Sequence, residues 1–285
     1  MKRFLLILLL FSGFVQSAVT YDTNSSGALT HGVSLTIAHT TTSSDNRLML
    51  VGVTWIDSGI LVSNRCNVCD ESGEFLGCTY GGVALDDFKV TNNIHVLKLY
   101  APATGNNNII CTWSDLCHVD ATVGVTTFSG VSQTAGLGDI VDASGSTSPI
   151  KTAITGVSAD NMLVDFAAVI RGTSTTMTIT EVTGQTMRWN RRAGGDKCSL
   201  YPLSGGSTKA GLVGATTLNW TESTNKNWWS LAVEVRQYVA PAVTAKPMRS
   251  YISGPGYMVI DGLQYWGMNM PKVMGLWKKA FWLLR

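Results

Sequence analysis

The run Leu48-Met49-Leu50-Val51-Gly52-Val53 indicates the fold class most directly, and Met162-Leu163-Val164-Asp165-Phe166-Ala167-Ala168-Val169 has the same character in the second half of the chain. Both runs are apolar at odd and even positions alike. Because successive side chains of a strand point to opposite faces, such runs are typical of strands covered on both sides. We therefore predict two central strands. Asp165 interrupts the second run, and we expect a structural partner for its carboxylate there rather than a catalytic role.

Short runs rich in Val, Ile, Thr and aromatic residues, bounded by Gly, Asn, Asp and Ser, surround these two stretches. They predict further strands at Val33–His39, Cys78–Leu85, Ile94–Tyr100, Asn108–Trp113, Ala121–Phe128, Lys151–Ile154, Met177–Val182, Gln185–Trp189, Thr216–Trp220 and Trp228–Arg236. Glycine pairs such as Gly81-Gly82 and Gly205-Gly206 predict turns. In Trp228–Arg236, alternation places Trp229 toward the core and Trp228 on a solvent-facing side.

The predicted fold class is all-β, an antiparallel two-sheet sandwich of jelly-roll-like type, because many short strands separated by turns favour a sandwich or barrel. Two tandem small sandwiches divided near residues 136–148 also fit the length. The two halves share no detectable sequence repeat, so a single two-sheet sandwich is favoured.

The two ends of the chain differ from its body. Residues 1–18 combine a basic head, a short apolar core and small residues, which is typical of a secretory signal peptide and predicts a secreted or cell-surface protein. The β-sandwich domain is expected over 19–239. The proline-containing stretch 240–247 predicts a linker, and 248–285 forms a basic, Trp- and Met-rich tail.

Charge is scarce and unevenly distributed. Charged residues make up 14% of the chain, against about 25% in typical soluble domains. The body holds 13 basic and 18 acidic residues. An acidic body lacks the basic footprint that nucleic-acid phosphates require, so no nucleic-acid partner is expected.

Six cysteines follow the predicted signal, and an even count in an exported chain favours disulfides. Cys111 and Cys117 flank a short turn and form the pair expected first. Cys66 or Cys69 with Cys78 would close the loop between them. The alternative is a zinc site at Cys66-x-x-Cys69 with Cys78, His95 or His118, although no second pair completes the usual spacing.

Calcium at the 57–74 loop is the cofactor most compatible with the sequence, since Asp57, Asp70, Glu71 and Glu74 offer hard oxygen ligands. A solvated acidic loop is the alternative. No catalytic residues are predicted, because the five glutamates do not form the paired carboxylates that a glycosidase needs. A polysaccharide-active enzyme using Glu181, Glu222 or Glu234 remains a further alternative.

Aromatic residues support binding rather than catalysis. Trp228 and Trp189 are the candidates for stacking on a sugar ring, with core packing as the alternative. At the end of the chain, a helix is predicted from Pro271. Its side chains suit a membrane surface, a partner's groove or the protein's own sandwich. The candidates for docking are Trp277, Lys278, Lys279, Phe281 and Trp282.

Several stretches resemble a jelly-roll sandwich module that recurs in exported bacterial surface proteins and some phage proteins. They are Thr79–Leu85, Leu99–Gly105, Thr127–Val131 and Trp228–Val235. The resemblance spans about 30–239 and implies an appended β domain of mostly unassigned role, with no catalytic residues to carry over. The Cys-rich loop 64–78 and the tail after Pro247 depart from the module.

Together these observations predict a secreted, non-catalytic binding or adhesion module that recognises a surface glycan or protein. The tail would then act as an anchor or docking element, at a membrane surface or on an assembly partner. The alternative is a structural subunit of an extracellular or virion assembly.

Overall fold

The chain is built from antiparallel β-strands. A computed structural model describes residues 18–56, 74–91, 94–114, 119–172, 178–194, 201–223 and 226–240, with three short strands beyond residue 250. Every regular element in these ranges is a strand, so the all-β sandwich class is confirmed. The described part of the chain contains no helix with the length and hydropathy that a membrane span requires. Residues 1–17 of the predicted signal peptide, which spans 1–18, lie outside the described residues.

The first half of the body forms a sandwich of two sheets, called inner sheet 1 and outer sheet 1. Inner sheet 1 has the strand order β1 (Thr20–Gly32), β9 (Val119–Ser129), β3 (Leu48–Ile56), β7 (His95–Tyr100) and β6 (Asp86–Val90). Outer sheet 1 has the order β2 (Ser34–Thr41), β8 (Gly105–Trp113), β4 (Phe75–Tyr80) and β5 (Val83–Ala84). The chain crosses between the two sheets in the manner of a jelly roll.

The second half repeats this path. Inner sheet 2 has the order β10 (Leu137–Gly145), β17 (Trp228–Val235), β12 (Met162–Gly172), β15 (Tyr201–Ala210) and β14 (Thr186–Arg192). Outer sheet 2 has the order β11 (Ile150–Val157), β16 (Gly214–Glu222) and β13 (Ile179–Glu181). In each half the first strand pairs with the last and the second strand with the last but one. The two halves therefore share a topology that their sequences do not reveal.

Four sheets lie on one another in the order outer 1, inner 1, inner 2, outer 2. One buried cluster joins the sheets of the first half, and two smaller clusters join those of the second. A further cluster lies between the two inner sheets. The structure has four layers, whereas the favoured prediction was a single sandwich of two sheets. The four layers correspond to the alternative of two successive sandwiches, with the division between β9 and β10.

The two apolar stretches behave as predicted. In β3, Leu48 and Leu50 face inner sheet 2, whereas Met49 and Val51 face outer sheet 1. All four are fully buried. β12 lies between β15 and β17 and is likewise covered on both faces. The prediction of two central strands is confirmed, because each inner sheet lies between two other sheets.

Aromatic rings fill depressions made by glycine where the inner sheets meet. Gly52 and Gly124 pair directly across β3 and β9. A Cβ atom on Gly52 would lie 2.3 Å from the Phe166 ring, and one on Gly124 would lie 1.8 Å from Trp189. The missing side chains thus make room for these two rings, which join the halves.

Two local predictions are wrong for the same reason, the presence of an additional layer. Gly205 and Gly206 do not form a turn but lie inside β15, where they make room for the indoles of Trp220 and Trp189. The expected solvent-facing side of β17 is covered by outer sheet 2, so Trp228 is only 7% exposed. Its Nε1 donates a hydrogen bond to the Thr147 carbonyl at 2.8 Å.

A disulfide connects Cys78 in β4 with Cys111 in β8. These residues are direct cross-strand neighbours in outer sheet 1, and their side chains lie in the core of the first sandwich. The expected Cys111–Cys117 bond is therefore wrong, and so is a bond from Cys66 or Cys69 to Cys78. Pairing between adjacent strands brings distant cysteines together, which spacing along the chain does not reveal.

Residues 241–285 form a second compact unit. Three short antiparallel strands are described there, β18 (Tyr251–Ile252), β19 (Met258–Ile260) and β20 (Leu263–Gln264). The predicted final helix, with Trp277, Lys278, Lys279, Phe281 and Trp282, lies outside the described residues.

Candidate functional site

Asp165 is a fully buried carboxylate between inner sheet 2 and outer sheet 2. Its Oδ1 accepts hydrogen bonds from the backbone N and the Oγ of Ser207, at 3.0 and 2.5 Å, and its Oδ2 accepts one from Trp220 Nε1 at 2.7 Å. Burial raises the pKa of Asp165 to about 6, against the opposing effect of these bonds. The carboxylate joins two layers, so the expected structural partner is confirmed.

His39 is a second buried polar group, located in β2 of the first sandwich. Its Nδ1 lies 2.9 Å from Ser25 Oγ, and its Nε2 lies 3.4 Å from both Thr23 Oγ1 and Thr127 Oγ1. Burial lowers the pKa of His39 to about 4, and the Asp22 carboxylate opposes this shift. The imidazole is therefore neutral at pH 7 and serves as a hydrogen-bonding link between strands.

Glu222 and Glu234, two of the glutamates considered for an enzyme, are buried on different strands. Each carboxylate accepts a hydrogen bond from a backbone N–H group. Glu222 accepts two hydrogen bonds from the Lys226 N–H, at 2.9 and 3.0 Å. Burial opposes ionisation of Glu234, yet hydrogen bonds from Asn161 and Arg236 hold its pKa below the ordinary value. No three His, Cys, Asp or Glu side chains among the described residues converge on a common point that could hold a metal ion.

The two predicted sugar-stacking tryptophans are buried. Trp189 is 5% exposed and packs between the inner sheets, with its ring centroid 6.3 Å from that of Phe166. Trp228 lies beneath outer sheet 2. A ring must present an open face to stack on a sugar, so neither residue offers a binding platform. The alternative, core packing, is correct for both.

Aromatic residues also gather at one end of the first sandwich. Phe75 contacts Trp55, His95 and Trp113, with ring centroids 5.0 to 5.5 Å apart. His95 Nε2 lies 2.8 Å from Asp87 Oδ1. Trp113 is buried in the core, and the cluster covers the edge of that core. Among the described residues, these aromatic rings pack against the core of the first sandwich.

A groove on the exposed face of outer sheet 2 is the best candidate for a binding site. Its volume is about 480 Å³, within the range of about 300–1,000 Å³ that is usual for ligand pockets. The groove is lined by Pro149, Lys151, Val182, Thr217, Asn219 and Thr221. We call it the outer-sheet-2 groove.

Alternation along β16 creates the floor of this groove. Thr216, Leu218 and Trp220 point inward and are buried, so Thr217, Asn219 and Thr221 are directed outward. Lys151 is the direct cross-strand partner of Asn219. The sequence signal was therefore present in β16, but the outward Thr-x-Asn-x-Thr pattern does not by itself distinguish a binding floor from an ordinary solvent-exposed face.

Hydrogen bonds fix the floor beneath the side chains. The Asn219 N–H donates to Gln185 Oε1 at 2.8 Å, and the Asn219 carbonyl accepts from the Val182 N–H at 3.1 Å. Gln185 also donates to Ser207 Oγ at 3.0 Å. The turn Val182–Gln185 thus holds the Asn219 backbone through both its N–H and its carbonyl. The Asn219 side-chain oxygen, by contrast, is buried and has no hydrogen-bond partner among the described residues.

The exposed face of outer sheet 1 provides a comparison within the same molecule. Its cross-strand rows place Thr36 beside Ile110 and Ala38 beside Asn108. Leu76 and Val83 are 60% and 56% exposed at its other side. No charged side chain occurs on the outward positions of these strands. This face offers hydroxyl, amide and aliphatic groups.

The remaining predicted site residues lie mostly outside the described residues. They are Cys66, Cys69, Cys117, His118, Asp57, Asp70 and Glu71. Only Glu74 of the proposed calcium loop is described. Its carbonyl accepts a hydrogen bond from the Ser114 N–H at 2.8 Å, and its N–H donates to Ser114 Oγ at 2.9 Å. The calcium hypothesis therefore remains a prediction.

Comparison of the chain with protein-family models, with curated proteins and with solved structures gave no match.

Proposed function

We propose that this protein is a secreted, non-catalytic binding module that recognises a surface glycan through the outer-sheet-2 groove. The observation that carries the proposal is the floor of the groove. There, hydrogen bonds to Gln185 and from Val182 hold the Asn219 backbone, so that Thr217, Asn219 and Thr221 line the groove as a row in a fixed position. Amide and hydroxyl groups held in this way can exchange hydrogen bonds with the hydroxyl groups of a bound molecule.

The other groups of the groove fit the same ligand class. Thr217 and Thr221 supply hydroxyl groups that both donate and accept hydrogen bonds. Pro149 and Val182 supply apolar surface for the C–H groups of a sugar ring. Few fixed polar groups within a partly apolar pocket are the usual composition of a small-molecule site.

The test is a glycan array probed with the full chain, followed by calorimetry on the glycans that bind. We expect Asn219→Ala to weaken binding about tenfold, which corresponds to one lost hydrogen bond of about 1.4 kcal/mol. Asn108→Ala is the matched control, because Asn108 faces outward from the corresponding strand of the first sandwich. The proposal fails if no glycan binds at millimolar concentration, or if both variants weaken binding equally.

A second candidate function, a structural subunit of an extracellular or virion assembly, is favoured by a different surface. The exposed face of outer sheet 1 carries Leu76, Val83 and Ile110 without any charge. Two copies of one uncharged face do not repel each other and can meet about a two-fold axis. We expect light scattering of the full chain to show a dimer that Ile110→Glu dissociates. A monomer at high concentration would exclude this function.

A further inference from the structure

Lys151 is the only charged residue among those that line the outer-sheet-2 groove. It projects from β11 on the exposed face, directly beside Asn219. Its ammonium group makes no ion pair with any described carboxylate. An ammonium group that faces a groove without a counter-ion favours an anionic group on the molecule that enters.

The first sandwich shows that a charge is not required at this place in the fold. Its exposed sheet has the same strand arrangement, yet its outward positions carry only Thr, Ser, Ala, Asn and aliphatic side chains. Thr and Asn therefore recur on both exposed sheets, whereas a positive charge occurs on the described outward positions of β11 and not on those of β2 and β8. Lys151 is thus a specific feature of the groove, and the fold itself does not require a charge there.

We infer that the ligand of the groove is an acidic saccharide, whose carboxylate or sulfate pairs with Lys151 while neighbouring ring hydroxyls bond to Asn219 and the threonines. The inference rests on the proposed function and names its ligand class. Neutral glycans satisfy the amide and hydroxyl groups but leave the ammonium without a partner. Free inorganic anions satisfy the ammonium alone.

The two side chains start from positions that lie within the span of a single sugar unit. Lys151 and Asn219 are cross-strand partners, and side chains on directly opposed residues start about 4.5–5.5 Å apart. A uronic acid carries its carboxylate and its ring hydroxyls within a similar span. Thr217 and Thr221 lie two residues on either side of Asn219, so they extend the row of hydroxyl groups along β16 toward adjoining sugar units.

The experiment uses acidic oligosaccharides together with their methyl esters, since esterification removes the charge and leaves the rings unchanged. Galacturonate and glucuronate oligomers are the probes for a carboxylate, and sulfated oligomers with their desulfated forms are the probes for a sulfate. Binding to the full chain is measured by calorimetry at 50 and 500 mM salt. Inorganic sulfate is included as a probe of the anion alone.

We expect the full chain to bind an acidic form about tenfold more tightly than its uncharged counterpart, as suits one charge-assisted hydrogen bond. Lys151→Met should remove this preference and Lys151→Arg should retain it. High salt should reduce the preference, because it screens an exposed pair. Lys98→Met is the control, since it lowers the net charge equally on a strand of the first sandwich.

Each outcome decides the matter. Equal binding of the charged and uncharged forms overturns the inference, and so does a preference that persists in Lys151→Met. If neutral glycans bind equally well and Asn219→Ala weakens them, the proposed function stands while the acidic ligand is excluded. Binding of inorganic sulfate with no oligosaccharide binding excludes both. Absence of all binding also excludes both.

Discussion

Several buried polar side chains in this protein link neighbouring layers. Asp165 receives three hydrogen bonds from Ser207 and Trp220, which belong to different sheets. Thr152 donates to Ser230 Oγ at 2.7 Å across the same two sheets. Thr122 and Ser204 lie 2.5 Å apart between the inner sheets. The bonds Trp220–Asp165, Thr152–Ser230 and Thr122–Ser204 each join two sheets and so help to fix their relative position.

The raised pKa of Asp165 predicts that the stability of the protein depends on pH. Its folded pKa of about 6 lies above its ordinary value of 3.8, so the native state binds the extra proton between these values. Stability linked to this group is full below pH 3.8 and is lost as the pH rises through 6. The unfolding free energy of the protein, compared with that of Asp165→Asn, should fall by about 2 kcal/mol between pH 4.5 and 7.5. Urea denaturation at the two pH values measures it.

His39 provides the control because its shift has the opposite consequence. Its folded pKa is lowered to about 4 from 6.5, so the stability linked to it is present above pH 6.5 and lost as the pH falls toward 4. Compared with His39→Gln, the protein should therefore gain stability between pH 4.5 and 7.5. A difference from Asp165→Asn that stays constant with pH would contradict the assignment at Asp165.

Individual strands were predictable where their side chains alone define them. The apolar runs of β3 and β12 identify central strands without ambiguity. β1, β6, β10 and β15 were not predicted, because Gly, Ser, Asn or Asp residues, which usually mark turns, interrupt their apolar pattern. In β15 the small residues are present because two indole rings need the space above them. That reason lies in the neighbouring strands, so no local pattern contains it.

The candidate site was less predictable than the fold for a related reason. The outward residues of β16 follow from simple alternation, but Lys151, Pro149 and Val182 reach the groove from two other strands or turns. The sequence instead favoured Trp189 and Trp228 as binding residues, but both are buried by layers that no local sequence pattern predicts.

Strand β4 depends on its disulfide. The Cys78–Cys111 bond closes a separation of 33 residues and joins β4 to β8. Replacing both cysteines by Ala should lower the unfolding free energy by about 3 kcal/mol, mainly because the unfolded chain regains freedom. The control variant replaces Thr79 and Ile110 by Ala, since this neighbouring cross-strand pair lies on the opposite face of the same strands. Equal urea midpoints for the protein and the double cysteine variant would contradict this expectation.

At the scale of the whole molecule, the described residues between 18 and 240 form two jelly-roll sandwiches joined through their inner sheets. The joining surface is apolar and interlocked, since Phe166 and Trp189 fill the spaces above Gly52 and Gly124. Polar contacts lie at its margin, where Arg191 donates to Ser26 Oγ at 2.9 Å and the Arg188 guanidinium lies 3.6 Å from the centroid of the Tyr21 ring. The two halves should therefore unfold together.

Gly124 tests this interlocking. A methyl group there would lie 1.8 Å from the rigid indole of Trp189, so Gly124→Ala should destabilise the protein by about 3 kcal/mol. Gly32→Ala is the control, because the closest atom to its added methyl group is the terminal Cδ1 of Leu29, at 2.7 Å, which a side-chain rotation can move, and it should cost about 1 kcal/mol or less. Urea unfolding measures both. Trp189→Leu should recover part of the loss at Gly124, and equal costs for the two alanines would contradict the model of packing.

The stacking of four sheets also determines how substitutions combine. Packed sheets lie about 10 Å apart, so the exposed faces of the two outer sheets are separated by three such spacings, about 30 Å. Substitutions more than about 10 Å apart without shared partners usually have additive effects. Changes at Asn108 and at Asn219 should thus combine without mutual influence. Selection can reshape one face of the protein while the chemistry of the opposite face is preserved.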